Sequence, residues 1–492
     1  MKKYINKISI IALGLVLLGS CKKDYLTTSP TDSVADAAVF TTTSNAAGAL
    51  NGIHRLMYVQ YSNQDQGGQG SVMIFNDVLG EDVVLPSAGN GWWNSQYQWI
   101  NHRTVTASNL GFVYRFYYLL IANANLIIEN IDRASGTQAE RNQIKAEALT
   151  YRAWAHFQLV QFFGSRYVNG ATNTQLGIPL MTRTTTEPQA RSTVEQVYTS
   201  INADLDAAIA AFSGTATRTF KSHFDVGVAK GIKARVALTQ GNWATAAQFA
   251  SEARTGYSLM TNTQYQAGFN TVTNPEWMWG SFQQEDQTTY FYHFFAYMSC
   301  NFSSTNIRTA PKCINSALYN QISSTDVRKG LWDPTGANSA VFPVPATGSR
   351  FPYMHRKFKV AGTTSVGDVP YMRVAEMYLI EAEAKARLGL PTAAQDALYT
   401  LVVNRDPSYV KSTNTGTTLI DEIMKHRRIE LWGEGFRFTD LKRTNAPLDR
   451  TGSNHTAALA VVLSVPAGDK QWQFLFPQAE LDANKLIVQN DL

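Results

Sequence analysis

Flat aromatic side chains stand beside amide side chains in the segment NGWWNSQYQW. Four rings and the amide of Asn94 are the candidate contacts here, among glycine and further polar neighbours: Trp92, Trp93, Asn94, Tyr97 and Trp99. A sugar ring has an apolar face of C–H groups, which packs on an electron-rich aromatic face, and a rim of hydroxyls, which an amide can bind as donor and acceptor. This combination of residues therefore predicts a glycan-binding loop.

A second aromatic stretch, NPEWMWGSFQQEDQTTYFYHFFAYM, offers further candidate stacking rings: Trp277, Trp279, Tyr290 and Tyr292. Core packing is the alternative for each ring. The alternation from Tyr290 to Phe294 also fits a strand with one buried side.

Carboxylates raise the question of catalysis, because Asp77, Glu81 and Asp82 lie close together, as do Glu285 and Asp286. A glycoside hydrolase needs two carboxylates that face each other across a glycosidic bond, and closeness along the chain does not establish this. None of the H-E-x-x-H, G-x-S-x-G or phosphate-loop motifs stands out. We therefore expect a binding protein without catalytic residues, with a surface hydrolase as the less favoured alternative.

Metal-binding patterns are also missing from the sequence. None of the eight histidines pairs at a metal-ligand spacing, and no C-x-x-C pair occurs. We expect no metal site and no cofactor, although Asp-rich loops would permit calcium. Cys300 and Cys313 could form a disulfide or remain two separate buried thiols.

Seven charged residues cluster near the C-terminal end, and three pairs of them are spaced three apart, as helical ion pairs are. They could bind a charged ligand, or they could form a partly buried ion network that joins two parts of the protein. The second interpretation is favoured. The residues are Arg427, Arg428, Glu430, Glu434, Arg437, Asp440 and Arg443.

The N-terminus has the pattern of a secreted protein. Three lysines precede an apolar run of eleven residues, 8–18, which is shorter than the roughly 20 residues needed to span a bilayer. The following Leu-Gly-Ser-Cys resembles a bacterial lipobox. It predicts a signal peptide at 1–20, lipidation of Cys21 and a tether at 21–38. No other apolar run of membrane-spanning length is expected.

Composition favours a large globular protein. The chain has 492 residues, of which 44% are hydrophobic and 16% are charged. Its net charge of +5 falls to +2 without the three leader lysines. No other basic run is long enough to follow a phosphate backbone, so nucleic-acid binding is not expected.

Helical periodicity dominates two parts of the chain. Apolar residues recur every three or four positions over 112–131 and 144–162, and further helices are predicted near 193–212 and 224–240. Small residues flank Gly241 and Gly389, which predicts tight helix pairs like those of tetratricopeptide repeats. Residues 257–369, by contrast, lack a clear helical period.

Four stretches, in order along the chain, resemble the SusD/RagB-like family of outer-membrane nutrient-binding lipoproteins. They are the lipobox with CKKDYLTTSPTDS, EALTYRAWAHFQLVQFFG (147–164), PYMRVAEMYLIEAEAKARLG (370–389) running to IMKHRRIELWGEGFRFTDLKR (423–443), and FLFPQAELDANKLIVQNDL (474–492). The chain ends in Gln-Asn-Asp-Leu, whereas the family tail usually ends in Asn-Pro-Gly-Tyr, which leaves the docking of these last residues open.

The resemblance implies a mainly α fold, in which a tetratricopeptide-like helix-pair scaffold carries a long irregular, loop-rich insertion. It implies a single domain over 39–492, with helical repeats at about 39–256 and 370–443, the insertion at 257–369 and a tail at 444–492.

The resemblance also implies a function. Such a protein is lipid-anchored to the outer membrane, faces the outside, captures glycans and passes them to a SusC-like, TonB-dependent transporter. The family's sites draw on the region of the first aromatic loop, which favours Trp92 and Trp93. Some relatives serve peptide uptake, so a peptide- or protein-binding adaptor of the same architecture stays open.

Overall fold

The computed structural model describes residues 39–215, 218–287, 294–338 and 340–492. The predicted leader, Cys21, the tether, Tyr290 and Tyr292 lie outside these ranges. Within them, helices of eight or more residues are α1 (Thr43–Leu56), α2 (Gly68–Leu79), α3 (Ser108–Asn130), α4 (Gln138–Phe163), α5 (Val194–Ala211), α6 (Val226–Gln240), α7 (Trp243–Ala253), α8 (Val374–Arg387), α9 (Pro391–Arg405), α10 (Gly416–Glu430) and α11 (Arg437–Thr444).

The strands are short. They are β1 (Val83–Val84), β2 (Leu176–Pro179), β3 (Arg191–Thr193), β4 (Trp277–Gly280), β5 (Cys313–Ile314), β6 (Trp332–Asp333), β7 (Met354–His355), β8 (Pro370–Arg373), β9 (Leu448–Asp449) and β10 (Ser464–Val465). They form an antiparallel sheet in the order β1-β5-β7-β6 and the antiparallel pairs β2–β3, β4–β8 and β9–β10.

Short helical segments complete the described fold. They are Asn94–Tyr97, Asn101–Arg103, Ile131–Arg133, Asn262–Tyr265, Glu285–Gln287, Phe294–Met298, Thr305–Thr309, Ser316–Tyr319, Val327–Leu331, Ala457–Ala460, Lys470–Trp472 and Gln478–Ala483. The mainly α fold class predicted from the sequence is confirmed.

Successive helices pack as pairs, as the periodicity predicts. Helix α4 packs against α3 and α5, α6 against α7, and α8 against α9. Local sequence fixes the ends of these helices: Thr137 and Thr193 form capping boxes at the starts of α4 and α5. Gly241 and Gly389 reverse the chain after α6 and α8 in the left-handed conformation that glycine adopts most readily.

The two helical parts of the chain form one continuous stack, because α7 also packs on α8. Alanines on the facing sides, such as Ala246, Ala250, Ala382 and Ala394, are fully buried. This confirms the prediction that small side chains allow the helices to approach closely. The segment between α7 and α8 therefore leaves the stack and returns to it.

The segment Ser108–Arg133, which contains α3, is long and apolar enough to cross a membrane by length and composition alone, contrary to the sequence expectation. More than half of its most apolar window is buried inside the protein. Its aromatic residues Phe112, Phe116 and Tyr117 lie in the main core. We therefore interpret it as a core helix.

The insertion shares the main core with the helices and is joined to the rest of the fold by strand pairing. Strand β5 pairs with β1 from the N-terminal half, and β4 pairs with β8, which leads into α8. Cys300 and Cys313 are both buried and free, so the sequence alternative of two separate thiols is the one that the fold adopts.

The C-terminal tail docks on the scaffold despite its unusual ending. The buried side chain of Asn490 donates hydrogen bonds to the backbone oxygens of Phe163 (2.7 Å) and Phe474 (2.8 Å). Gln489 exchanges two hydrogen bonds with the backbone of Phe476. Amides therefore fix the chain end.

Candidate functional site

The first aromatic loop is folded around its own rings. Trp93 and Trp99 both have positive φ angles, 71° and 62°, and both rings are buried, as is Tyr97. The Nε1–H of Trp99 donates to the backbone oxygen of Leu79 at 2.8 Å, and the Tyr97 hydroxyl bonds Nδ1 of His455. The expectation that Trp93, Tyr97 and Trp99 present faces to a ligand is thus wrong in this structure, because core packing takes up their surfaces.

The two tryptophans of the second aromatic stretch are buried as well. Trp277 and Trp279 lie in β4, a strand in which all four residues are buried. Trp279 packs edge-on against Trp154 with ring centroids 5.1 Å apart. The prediction that Trp277 and Trp279 contact a ligand is therefore wrong in this structure, because both rings lie in the core.

Trp92 and Asn94 remain at the surface of the first loop. Trp92 is half-buried and lies edge-on to Tyr297, with ring centroids 6.0 Å apart. The Nδ2–H of Asn94 donates to the backbone oxygen of Ala88 at 3.0 Å, while its Oδ1 has no hydrogen-bond partner among the described residues. Trp92 therefore keeps an accessible face for a ligand, whereas the Oδ1 of Asn94 is buried and closed to one.

The chain that precedes Trp92 is held in place. The Ser87 hydroxyl donates to the backbone oxygen of Thr309 at 2.6 Å. Gly89 has a φ of 51°, and a Cβ at this position would lie 2.8 Å from the Cβ of Ala310. The loop must therefore have glycine at 89, since no larger residue fits this close approach without displacement.

A second aromatic surface was missed by the sequence analysis. Phe220 and Phe282 are 50% and 40% exposed and stack with centroids 5.8 Å apart and planes 17° from parallel. This Phe220–Phe282 platform borders a cavity of about 580 Å³ whose wall includes Arg55, Tyr58 and Gln284. The two rings come from separate segments without periodicity, so no local sequence signal pairs them.

The charged cluster is a buried ion network, which the sequence analysis favoured. The Glu430 carboxylate accepts from Arg373 at 3.0 Å, from Arg328 at 3.1 Å and from Arg405 at 3.2 Å, and all four side chains are buried. Burial alone would raise the pKa of Glu430, but the three guanidinium groups hold it well below its usual range. Such a network leaves no charge for a ligand.

Of the three ion pairs predicted at a spacing of three, only Asp440–Arg443 forms. Arg427 turns to Asp440 instead of Glu430, at 2.7 Å. Arg437 turns to Glu81, a residue of the N-terminal half. Long side chains here bridge separate elements rather than neighbouring turns.

The carboxylates that prompted the hydrolase alternative make internal contacts. Glu81 bonds Arg437 and Asp82 bonds Arg428. Asp77 accepts from the Gly435 backbone N–H at 2.7 Å, and burial raises the pKa of Asp77 to about 7. Glu285 and Asp286 are exposed. These contacts give the first three carboxylates a structural role.

Comparison with known proteins places the chain among SusD-like proteins. A SusD-like protein of Bacteroides ovatus is 23% identical over 89% of this chain and 82% of its own. A SusD-like carbohydrate binding protein from Bacteroides vulgatus is 26% identical, with a TM-score of 0.80 over 92% of this chain and 98% of its own. A laminarin binding SusD-like protein has a TM-score of 0.67 at 21% identity, over 92% and 99% of the two chains.

Family models cover nearly the whole described fold. Residues 53–238 match a family described as SusD-like, "starch-binding associating with outer membrane". Residues 232–492, just over half of the chain, match the SusD family model. The protein therefore belongs to the SusD family.

Proposed function

We propose that the protein is a cell-surface glycan-binding lipoprotein that captures extracellular oligo- or polysaccharide and passes it to a SusC-like, TonB-dependent outer-membrane transporter. The match of residues 232–492 to the SusD family carries this proposal. A carbohydrate binding relative and a laminarin binding structural neighbour support it. Lipid attached at Cys21 would hold the protein on the outer face of the outer membrane, as the lipobox suggests.

The protein works by binding alone and is not an enzyme in this proposal. The carboxylates considered for hydrolysis support this, because Glu81 and Asp82 are held by Arg437 and Arg428. A carboxylate fixed in an ion pair is not poised to protonate a leaving group.

Trp92 and Asn94 form the first proposed contact with the glycan, and the Phe220–Phe282 platform forms the second. A sugar can stack on the accessible part of Trp92, and the half-buried Asn94 follows two residues later at the same surface. The platform offers a wider apolar surface beside polar groups of the cavity wall.

A binding experiment on the purified full-length chain tests the function and the surfaces together. We expect calorimetry against a panel of polysaccharides that includes laminarin to identify a ligand. Trp92→Ala should then weaken its binding about five- to tenfold, since one stacked ring contributes roughly 1 kcal/mol. Val410→Ala, which removes a highly exposed side chain outside both surfaces, should bind like the wild type.

Other outcomes would contradict parts of the proposal. Retention of a peptide library and of no glycan would exclude the glycan function, and sugar products released from a polysaccharide would exclude pure binding. If Trp92→Ala and a Phe220→Ala/Phe282→Ala double variant both bind glycan normally, the two proposed surfaces are wrong while the function stands.

A further inference from the structure

Three metal-ligand side chains from separate elements meet at the wall of the 580 Å³ cavity. His54 comes from α1, Glu147 from α4 and His223 from the segment before α6. Nδ1 of His223 lies 3.0 Å from Nε2 of His54 and 3.1 Å from Oε2 of Glu147. Nε2 of His54 lies 3.7 Å from the same carboxylate oxygen. Two ring nitrogens and one carboxylate oxygen therefore surround a common point.

Neutral histidine side chains leave at least one of the three close approaches between these atoms without a hydrogen of its own. Nδ1 of His54 lies 2.6 Å from the Tyr151 hydroxyl. A neutral imidazole carries one N–H, so if Tyr151 donates to Nδ1, His54 has its hydrogen on Nε2 and can donate it to His223. Nδ1 of His223 is then an acceptor, and no hydrogen lies between it and the Glu147 carboxylate. The reverse tautomer of His223 places one hydrogen between two acceptors.

We propose that His54, Glu147 and His223 form a binding site for a divalent transition-metal ion, with Zn²⁺ as the preferred occupant. Zinc binds two histidines and one glutamate in known sites that keep one coordination position open. Ligand atoms about 2.0–2.1 Å from a tetrahedral ion lie about 3.3 Å from each other, and the three separations here, 3.0, 3.1 and 3.7 Å, bracket that value. Calcium and magnesium fit less well, because they favour oxygen ligands.

The surroundings orient the ligands as a metal site requires. Tyr151 bonds the far nitrogen of the His54 ring. The Glu147 carboxylate accepts from Nε2 of Gln143 at 2.8 Å and from the Phe224 backbone N–H at 3.0 Å. Second contacts of this kind fix ring and carboxylate orientation and tune affinity.

The site is open on one side. The His223 side chain is 22% exposed, whereas those of His54 and Glu147 are 9% and 2% exposed. All three line the cavity beside the Phe220–Phe282 platform. The remaining coordination position of the ion therefore faces the cavity, where water or a ligand oxygen can occupy it. Nothing in this inference depends on the protein binding a glycan.

Calorimetric titration of the chelator-treated full-length chain with ZnCl₂ tests the site. We expect one bound equivalent in the wild type. Changing an orienting residue around a metal site costs about 10–100-fold in affinity, so removing a ligand in His223→Ala or Glu147→Gln should weaken binding at least that much. Asn51→Ala is the matched control, since Asn51 is exposed, lines the same cavity and lies one turn before His54 on α1.

Cobalt(II) gives a second readout that a purely structural role would not produce. We expect the visible absorption of tetrahedral cobalt in the wild type and in Asn51→Ala, and its loss in His223→Ala. Since His223 is partly exposed, this variant should keep its fold, which melting of the metal-free proteins checks. No zinc uptake by the wild type, or unchanged uptake by His223→Ala, would overturn the proposal.

Discussion

At the scale of single residues, Glu434 provides a direct measure of the buried ion network. Its carboxylate accepts from Nζ of Lys357 at 2.6 Å and from Nε of Arg373 at 2.8 Å, in full burial. Glu434→Gln keeps the shape but leaves two cations undercompensated. We expect a loss of roughly 3–5 kcal/mol in the free energy of unfolding, as for other broken buried pairs, measured by urea titration.

The matched control for Glu434→Gln is Asp132→Asn, which breaks the exposed ion pair with Lys145. An exposed pair contributes less than about 1 kcal/mol. If the two variants lose the same stability, the network does not stabilise the fold. If Glu434→Gln instead lowers glycan affinity at unchanged stability, the cluster is a ligand site.

Asp440 should make the free energy of unfolding depend on pH in the acidic range. Burial favours its neutral form, but Arg427 and Arg443 outweigh this effect and lower the pKa of Asp440 to about 2, from a usual 3.8. The carboxylate therefore stabilises the fold above about pH 4, and that contribution is lost as the pH falls from 4 towards 2. This difference in pKa corresponds to about 2 kcal/mol.

The variant Asp440→Asn tests this sign. We expect it to be less stable than the wild type by at least about 2 kcal/mol at pH 7, with a difference that shrinks as the pH falls below 4. Urea titrations at a series of pH values measure this. A difference that stays constant with pH would show that the charge of Asp440 is not responsible.

At this scale, the sequence predicts the role of a group of residues better than it predicts the side chains that each of them contacts. The charges at 427–443 were expected in an ion network, but partners such as Lys357 and Arg373 are distant in the chain and could not be foreseen. The same limit explains the aromatic loop, since the composition around Trp93 and Trp92 is identical. Trp93 has a positive φ and a buried ring, while the ring of its neighbour stays at the surface.

At the scale of elements, two glycines test how turns fix the scaffold. Gly389 between α8 and α9 and Gly435 before α11 have φ angles of 74° and 84°. A Cβ on Gly389 would meet nothing within 4 Å, whereas one on Gly435 would lie 2.7 Å from Cα of Met73 in α2. Gly389→Ala should cost about 1–2 kcal/mol for its backbone alone. Gly435→Ala should cost more, by a further 1–3 kcal/mol or so, as thermal melts would show. Equal losses would contradict this close packing of α2.

Helix positions were predictable because a helix repeats its burial pattern within one segment. The period over 144–162 lies inside α4, and the turns at Gly241 and Gly389 are where the small residues placed them. The short strands of the insertion were not predictable, because segments such as β5 and β7 contain two residues each and exist through pairing with distant partners. The cluster of His54, Glu147 and His223 could not be predicted for the same reason, since its residues come from three separate elements.

At the scale of the whole molecule, buried charges tie the insertion to the helix stack. Glu276 from the insertion contacts Arg405 of α9 at 2.6 Å, and Arg328 from the insertion contacts Glu430 of α10. Separating the two parts would leave charged side chains on both without their partners, which is costly wherever a charge stays buried. The described parts of the chain should therefore unfold together.

Two probes on one urea titration measure this cooperativity. Far-ultraviolet circular dichroism follows mainly the helices, and tryptophan fluorescence includes Trp277, Trp279 and Trp332 of the insertion. We expect coincident transitions, the signature of a two-state process. An earlier fluorescence transition would mean that the insertion unfolds separately.

The left-handed backbone at Trp93 and Trp99 has a consequence for how such a loop can diversify. Because the buried rings of Trp93 and Trp99 anchor the loop, its backbone shape does not depend on the half-buried ring of Trp92. Position 92 can therefore take another side chain, and so present another surface, while the backbone around it stays the same; Asn94 differs, because it also holds the loop through its hydrogen bond to Ala88.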